Sequence, residues 1–142
     1  RSLKCETRIG AVMDIVTDRF NAGAYYVGFA FLHPELAPAV FLFLMNFMFV
    51  DCFLSLAFLS WPIRSPNYFF MVDRKLWQWN WSKPGKAVNS GLFAILLIVT
   101  ESLVVGLAFA ALLVAIKIVS MIRLMRIGLP VPRHEADQSP SP

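Results

Sequence analysis

Apolar residues along this chain fall into long unbroken runs, not into the alternation expected of half-buried strands. The first run covers residues 9–32 and stops at His33-Pro34-Glu35. Pro34 has no amide hydrogen to donate and pushes His33 out of the helical region, so a helix ends there. The second run, 36–61, is closed by Pro62 in the same way. At ~1.5 Å per residue, each can cross a hydrocarbon core of ~30 Å. The third run, 87–126, would measure ~60 Å as a single helix, twice that thickness. It must fold back, and polar Glu101-Ser102 followed by Gly106 marks the turn. The pattern predicts an all-α, polytopic transmembrane bundle with four spans over residues 1–126. A polar tail rich in Pro and Ser, 127–142, reads as disordered and cytoplasmic.

Composition agrees with this picture and charge orients it. Of 142 residues, 58% are hydrophobic and 15% charged, where a soluble domain carries about 25% charged residues. A soluble globular enzyme is excluded on that ground. Arg1, Lys4 and Arg8 precede the first run, and Arg64, Arg74, Lys75, Lys83 and Lys86 lie between the second and third. Arg123, Arg126 and Arg133 follow the fourth span, while the turns at 33–35 and 101–106 contain no Lys or Arg. The positive-inside rule then places the N-terminal group, the long loop and the tail in the cytoplasm. Four spans reproduce this partition and three would not. The loop 62–86 carries Tyr68, Phe69, Phe70, Trp77, Trp79 and Trp81. Such aromatics favour the headgroup region, so the loop is expected on the cytoplasmic membrane surface, as an anchor or as a lid over a lipid-entry site. Cys5 and Cys52 read as packing thiols. With no initiator Met and no signal segment, the sequence reads as part of a longer chain.

Ionisable groups within a span are costly and mark pathways or sites. Asp14 and Asp18 lie in the first span, Asp51 in the second and Lys117 in the fourth. Asp14 and Asp18 stand at i and i+4, so both carboxylates project from one helical face. Like charges so placed repel, and a hard divalent cation held by their oxygens is the natural partner. Gly10, one turn earlier on the same face, leaves room for a ligand to approach the helix. Asp18, Asp51 and Lys117 all lie ~13–15 Å from the cytoplasmic ends of their helices. They can face one cavity at a common level, or Asp51 and Lys117 can form a structural ion pair between two spans. Lys83 and Lys86 could hold a phosphate or serve only as interface cations. Asn46, Asn89 and Ser90 are candidate hydrogen-bonders, and His33 in the outer turn is expected to be solvated.

Arg1, Gly10, Asp14 and Asp18 have the spacing R-x8-G-x3-D-x3-D. This resembles the second half of the CDP-alcohol phosphatidyltransferase signature, D-x2-D-G-x2-A-R-x8-G-x3-D-x3-D. The run from Thr7 to Arg19 is most similar to the phosphatidylinositol synthase branch. Only the first nineteen residues carry the motif, and its first half would precede Arg1. The resemblance implies a six-span enzyme of which four spans are present. It would transfer a phosphatidyl group from CDP-diacylglycerol to a polar alcohol and release CMP, with Mg2+ or Mn2+ as cofactor. Asp14 would then be a metal ligand. Asp18 would be the general base and a second metal contact, while Gly10 and Arg1 would serve the nucleotide. Asp51, Lys83, Lys86 and Lys117 are candidates for the acceptor pocket.

Inositol or an inositol phosphate is the preferred acceptor, with glycerol 3-phosphate, serine, or choline and ethanolamine as alternatives. Membrane lipids are expected partners and nucleic acid is not; a homodimer is one arrangement open to such a protein. The fragment by itself is expected to be inactive, because it lacks the first half of the motif. Two rivals stand beside this reading: a small transporter or channel subunit using the same charges as an ion path, and a catalytically dead relative.

Overall fold

A computed structural model describes residues 7–128 and 130. Among the described residues every regular element is helical. Helix α1 spans Arg8–Leu32, with the Thr7 hydroxyl accepting from the Gly10 amide at 3.1 Å as its N-cap. It ends at His33, ahead of Pro34. The next helix is continuous over Pro34–Ser60 but not uniform. It opens on a 3-10 turn and continues through α2 (Ala37–Met45), a π-helical stretch (Asn46–Asp51) and α3 (Cys52–Leu56), closing on a 3-10 turn at Ala57–Ser60. A 3-10 turn (Pro66–Met71) and α4 (Arg74–Asn80) then lead to α5 (Lys83–Lys86). A second π stretch (Ala87–Gly91) joins α5 to α6 (Leu92–Thr100). Glu101 adopts the left-handed region, Ser102 is extended, and the chain reverses into α7 (Leu103–Ile127).

The apolar run 87–126 therefore folds back at Glu101. The helix it belongs to begins four residues before the run does, because the cap lies there: the Ser82 hydroxyl accepts from the Gly85 amide, and Pro84 occupies the first turn. Two helices, Pro34–Ser60 and Leu103–Ile127, are long and apolar enough to cross a membrane. Helix α1 carries Arg8, Asp14, Asp18 and Arg19, and the stretch 83–100 opens on Lys83 and Lys86, so neither meets the same standard.

Two apolar layers hold the helices together. In the layer toward the 33–35 and 101–102 turns, Phe43 and Phe93 stack at 4.3 Å and Tyr26 tilts over Phe43 at 4.6 Å. Leu36, Val40, Leu97, Ala110 and Leu113 fill the space around them. Gly106 lets α7 approach closely, since a Cβ there would stand 2.6 Å from Leu97 Cδ2 and 2.9 Å from the Ala39 Cβ. In the opposite layer Leu54, Phe58, Ile63, Phe69, Leu76, Trp81 and Leu124 pack together. Four of these, Ile63, Phe69, Leu76 and Trp81, belong to the 62–86 loop, which was expected to lie on the membrane surface. The loop is folded into the end of the bundle: Phe69 and Leu76 are fully buried, and among its aromatics Tyr68, Phe70 and Trp79 keep substantial exposure. Asp73 caps α4 and binds Arg123 of α7 at 2.7 Å, which ties the loop to the last helix. The expected tail, 127–142, lies almost wholly outside the described residues.

Candidate functional site

Between α1, the π stretch of the second helix, the loop and the start of the third helix lies a cavity of about 490 Å3. On α1 the 3.6-residue repeat brings Gly10, Asp14 and Asp18 onto its wall. Both carboxylates are exposed, and among the described residues neither has an ionic or hydrogen-bonding partner. Arg19 and Asp51 line the cavity beside them, and Ser65, Pro66, Asn67, Asn80 and Trp81 supply the loop wall. Lys86, Asn89 and Ser90 complete it from the third helix. Lys86 Nζ donates to Asn67 Oδ1 at 2.8 Å, which joins loop to helix at the rim. Asn89 is buried and donates to the Trp79 carbonyl at 2.9 Å.

Behind the wall sits a buried polar cluster. Asp51 is bound by Arg19 through Oδ2 and by Lys117 at 2.5 Å through Oδ1. Lys117, 2% exposed, also donates to Asn80 Oδ1 at 2.7 Å, and the Asn80 amide donates to Ser120 Oγ at 3.1 Å. Arg19 adds a bond to Ser55 Oγ at 3.1 Å, and its guanidinium carbon lies 3.9 Å from the centre of the Phe47 ring. Three helices are thus linked through one carboxylate, α4 joins them through Asn80, and each charge has a partner, as burial demands. At the loop, burial opposes the charged form of Asp73. The hydrogen bonds from Arg123 and the Leu76 amide outweigh it and hold the carboxyl below its ordinary value.

Of the site residues expected from sequence, Gly10, Asp14, Asp18, Asp51 and Lys86 share the cavity, as do Asn89 and Ser90. Lys117 does not reach it, because its amine is sealed against Asp51 and Asn80; the structural ion pair is what the fold contains. Lys83 opens onto a neighbouring hollow with Trp77, Gln78 and Ser82. Asn46 is buried away from the cavity, and Cys52 is a half-buried free thiol. His33 stacks on Phe29 at the 33–35 turn. Arg1 and Cys5 lie outside the described residues. Arg19, Asn80 and Ser65 were not singled out from sequence. For Arg19 a signal existed: a cation within an apolar run needs a carboxylate, and Asp51 is the one it meets. In comparisons with known proteins, no family model matches the chain, and neither a curated protein nor a solved structure matches it.

Proposed function

We propose that the protein is an integral membrane phosphatidyltransferase, taking CDP-diacylglycerol and a polar alcohol, with inositol or an inositol phosphate as the preferred acceptor. The observation that carries this reading is the placement of Asp14, Asp18 and Gly10 on the wall of one polar cavity, both carboxylates without a cationic partner among the described residues. In this proposal α1 and the stretch 83–100 also cross the membrane, giving four spans with the cavity toward the cytoplasm. The polar groups of α1 then face the cavity in place of lipid.

The donor set suits a hard divalent cation, since two carboxylates one turn apart offer oxygens and lack a competing cation. No third His, Cys, Asp or Glu converges on them among the described residues. Mg2+ commonly keeps several waters and takes substrate oxygens at its remaining positions, so two carboxylates fit it. When bound, Mg2+ or Mn2+ would neutralise charge on the phosphoryl group being transferred. Asp14 and Asp18 would hold the ion. The Asp18 carboxylate would also take the proton of the acceptor hydroxyl as that oxygen bonds to phosphorus. The phosphorus–oxygen bond to CMP breaks, and CMP leaves with its electron pair. Gly10 leaves open the approach to the helix along which a nucleotide would lie.

An ion path is the less favoured reading, because the layer beyond Phe47 is filled by Phe43, Phe93, Leu97, Ala110 and Leu113. Those side chains offer a migrating ion no polar contacts. The test is CMP release from CDP-diacylglycerol by the protein in native membranes, with Mg2+ or Mn2+ and a panel of alcohols. Asp14→Asn and Asp18→Asn should each lower turnover at least ~100-fold, the scale of losing a general base or a metal ligand. Membrane insertion should be unchanged, because both side chains are exposed and unpaired. Near-normal metal-dependent turnover in either variant would falsify the assignment.

A further inference from the structure

Arg19 makes unequal use of its guanidinium. Nη2 is bound to Asp51 and Ser55, and the flat face lies over Phe47. Nε is buried without a partner. Nη1 is neither bonded nor sealed, and Arg19 lines the cavity, so this edge is what the cavity meets. A second unused donor lies at the same wall: Ser65, 3% exposed, lines the cavity, and its Oγ is buried and unpartnered. Arg19 and Lys117 bring two positive charges against the single negative charge of Asp51, while Asp14 and Asp18 stand on the same cavity wall, so directed donors and not net charge select the ligand. Two unused donors call for an anion with several acceptor oxygens.

We propose that Arg19 and Ser65 form an anion subsite in this cavity, receiving the oxygens of a phosphate group. Asp51 acts through Arg19 as a positioning residue: held from behind by Lys117, it fixes Nη2 and so aims the opposite edge. Lysine cannot replace this arrangement, because a point donor has no second edge to leave free. The subsite rests on the cavity being the substrate site, and two sources share the chemistry: the diphosphate of a nucleotide-linked lipid, or a phosphate on the acceptor.

The test is equilibrium binding of radiolabelled inorganic phosphate to the intact protein in detergent micelles, with CMP or glycerol 3-phosphate as competitor. Arg19→Met should weaken phosphate binding at least ~10-fold, the scale of losing a charge-assisted hydrogen bond, and Ser65→Ala should weaken it ~3-fold. Arg19→Met should still fold, since it leaves Asp51 and Lys117 as a neutral pair. If it does not fold, Arg19→Lys carries the test, with an expected loss of ~5-fold or more. Displacement by CMP alone assigns the subsite to the nucleotide, and displacement by glycerol 3-phosphate alone assigns it to the acceptor; either supports the proposal. Phosphate affinity within twofold of the parent in Arg19→Met, or in Arg19→Lys if only that variant folds, overturns it. Binding requires no turnover, so Arg19-dependent binding in a protein that never releases CMP would retain the subsite and discard the transferase. CMP release with unchanged phosphate affinity in the variants would do the reverse.

Discussion

The two ends of this bundle are built from the same helices but by different rules. Toward the 33–35 and 101–102 turns the interior is apolar, with Phe43, Phe93 and Tyr26 in ring contact and α7 drawn close at Gly106. Toward the loop a second apolar layer, with Leu54, Phe58, Phe69 and Leu124, packs beside a hollow across which polar groups answer one another. The first end is held by packing alone, and the second adds charge pairing to its packing. The first end can be changed only at the cost of fit, the second at the cost of charge balance as well. The proposed phosphate site lies at the second end.

Removing the central carboxylate should sharpen this contrast most. Asp51→Asn leaves Arg19 and Lys117 facing each other without compensation, and should destabilise the protein by ~3–5 kcal/mol. Adding Lys117→Met should recover a measurable part of that loss, because it deletes one of the two unpaired charges. Thermal unfolding in detergent measures both, and additive losses in the double variant would contradict a shared cluster. At the packed end, Gly106→Val should cost ~1–3 kcal/mol by forcing α7 away from Leu97 and Ala39. Phosphate affinity at the other end should be untouched; if it fell with stability, the two ends would not be separable.

The smallest effect belongs to Asp73. Its carboxyl is held below the ordinary value in the fold, so its contribution is fully present above the unfolded value of ~3.9. That contribution is lost as pH falls through the lowered value. Asp73→Asn should lower the melting temperature slightly at pH 6 and by less near pH 3. An equal loss at both pH values would show that packing, not charge, holds the loop to α7.

Helix ends and the reversal at Glu101 were legible because proline, capping side chains and run length act locally. The Asp51–Lys117 pair was legible as one of two readings, since matching depth allows a pair without requiring it. Arg19 escaped because it follows Asp18 on a helix whose other charges already suggested chemistry, and its partner is 32 residues away. The packing of the loop was not legible, for a related reason. Tryptophan density is a fair sign of a membrane interface, but burial of Phe69 and Trp81 is decided by Leu54, Phe58 and Leu124, which sequence proximity does not reveal.

Both π stretches border the cavity: Asn46–Asp51 contributes Phe47 and Asp51, and Ala87–Gly91 contributes Asn89 and Ser90. A π turn amounts to one residue inserted into an α-helix and taken up locally, as a widened turn between flanks that stay in register. Deleting a single residue from the first stretch would let that turn rewind as α-helix with both flanks nearly in place. The widened turn that presents Phe47 and Asp51 to the cavity would be gone, while the apolar run kept nearly the same length. Such a change is of chain length by one position, and no count of residue types records it.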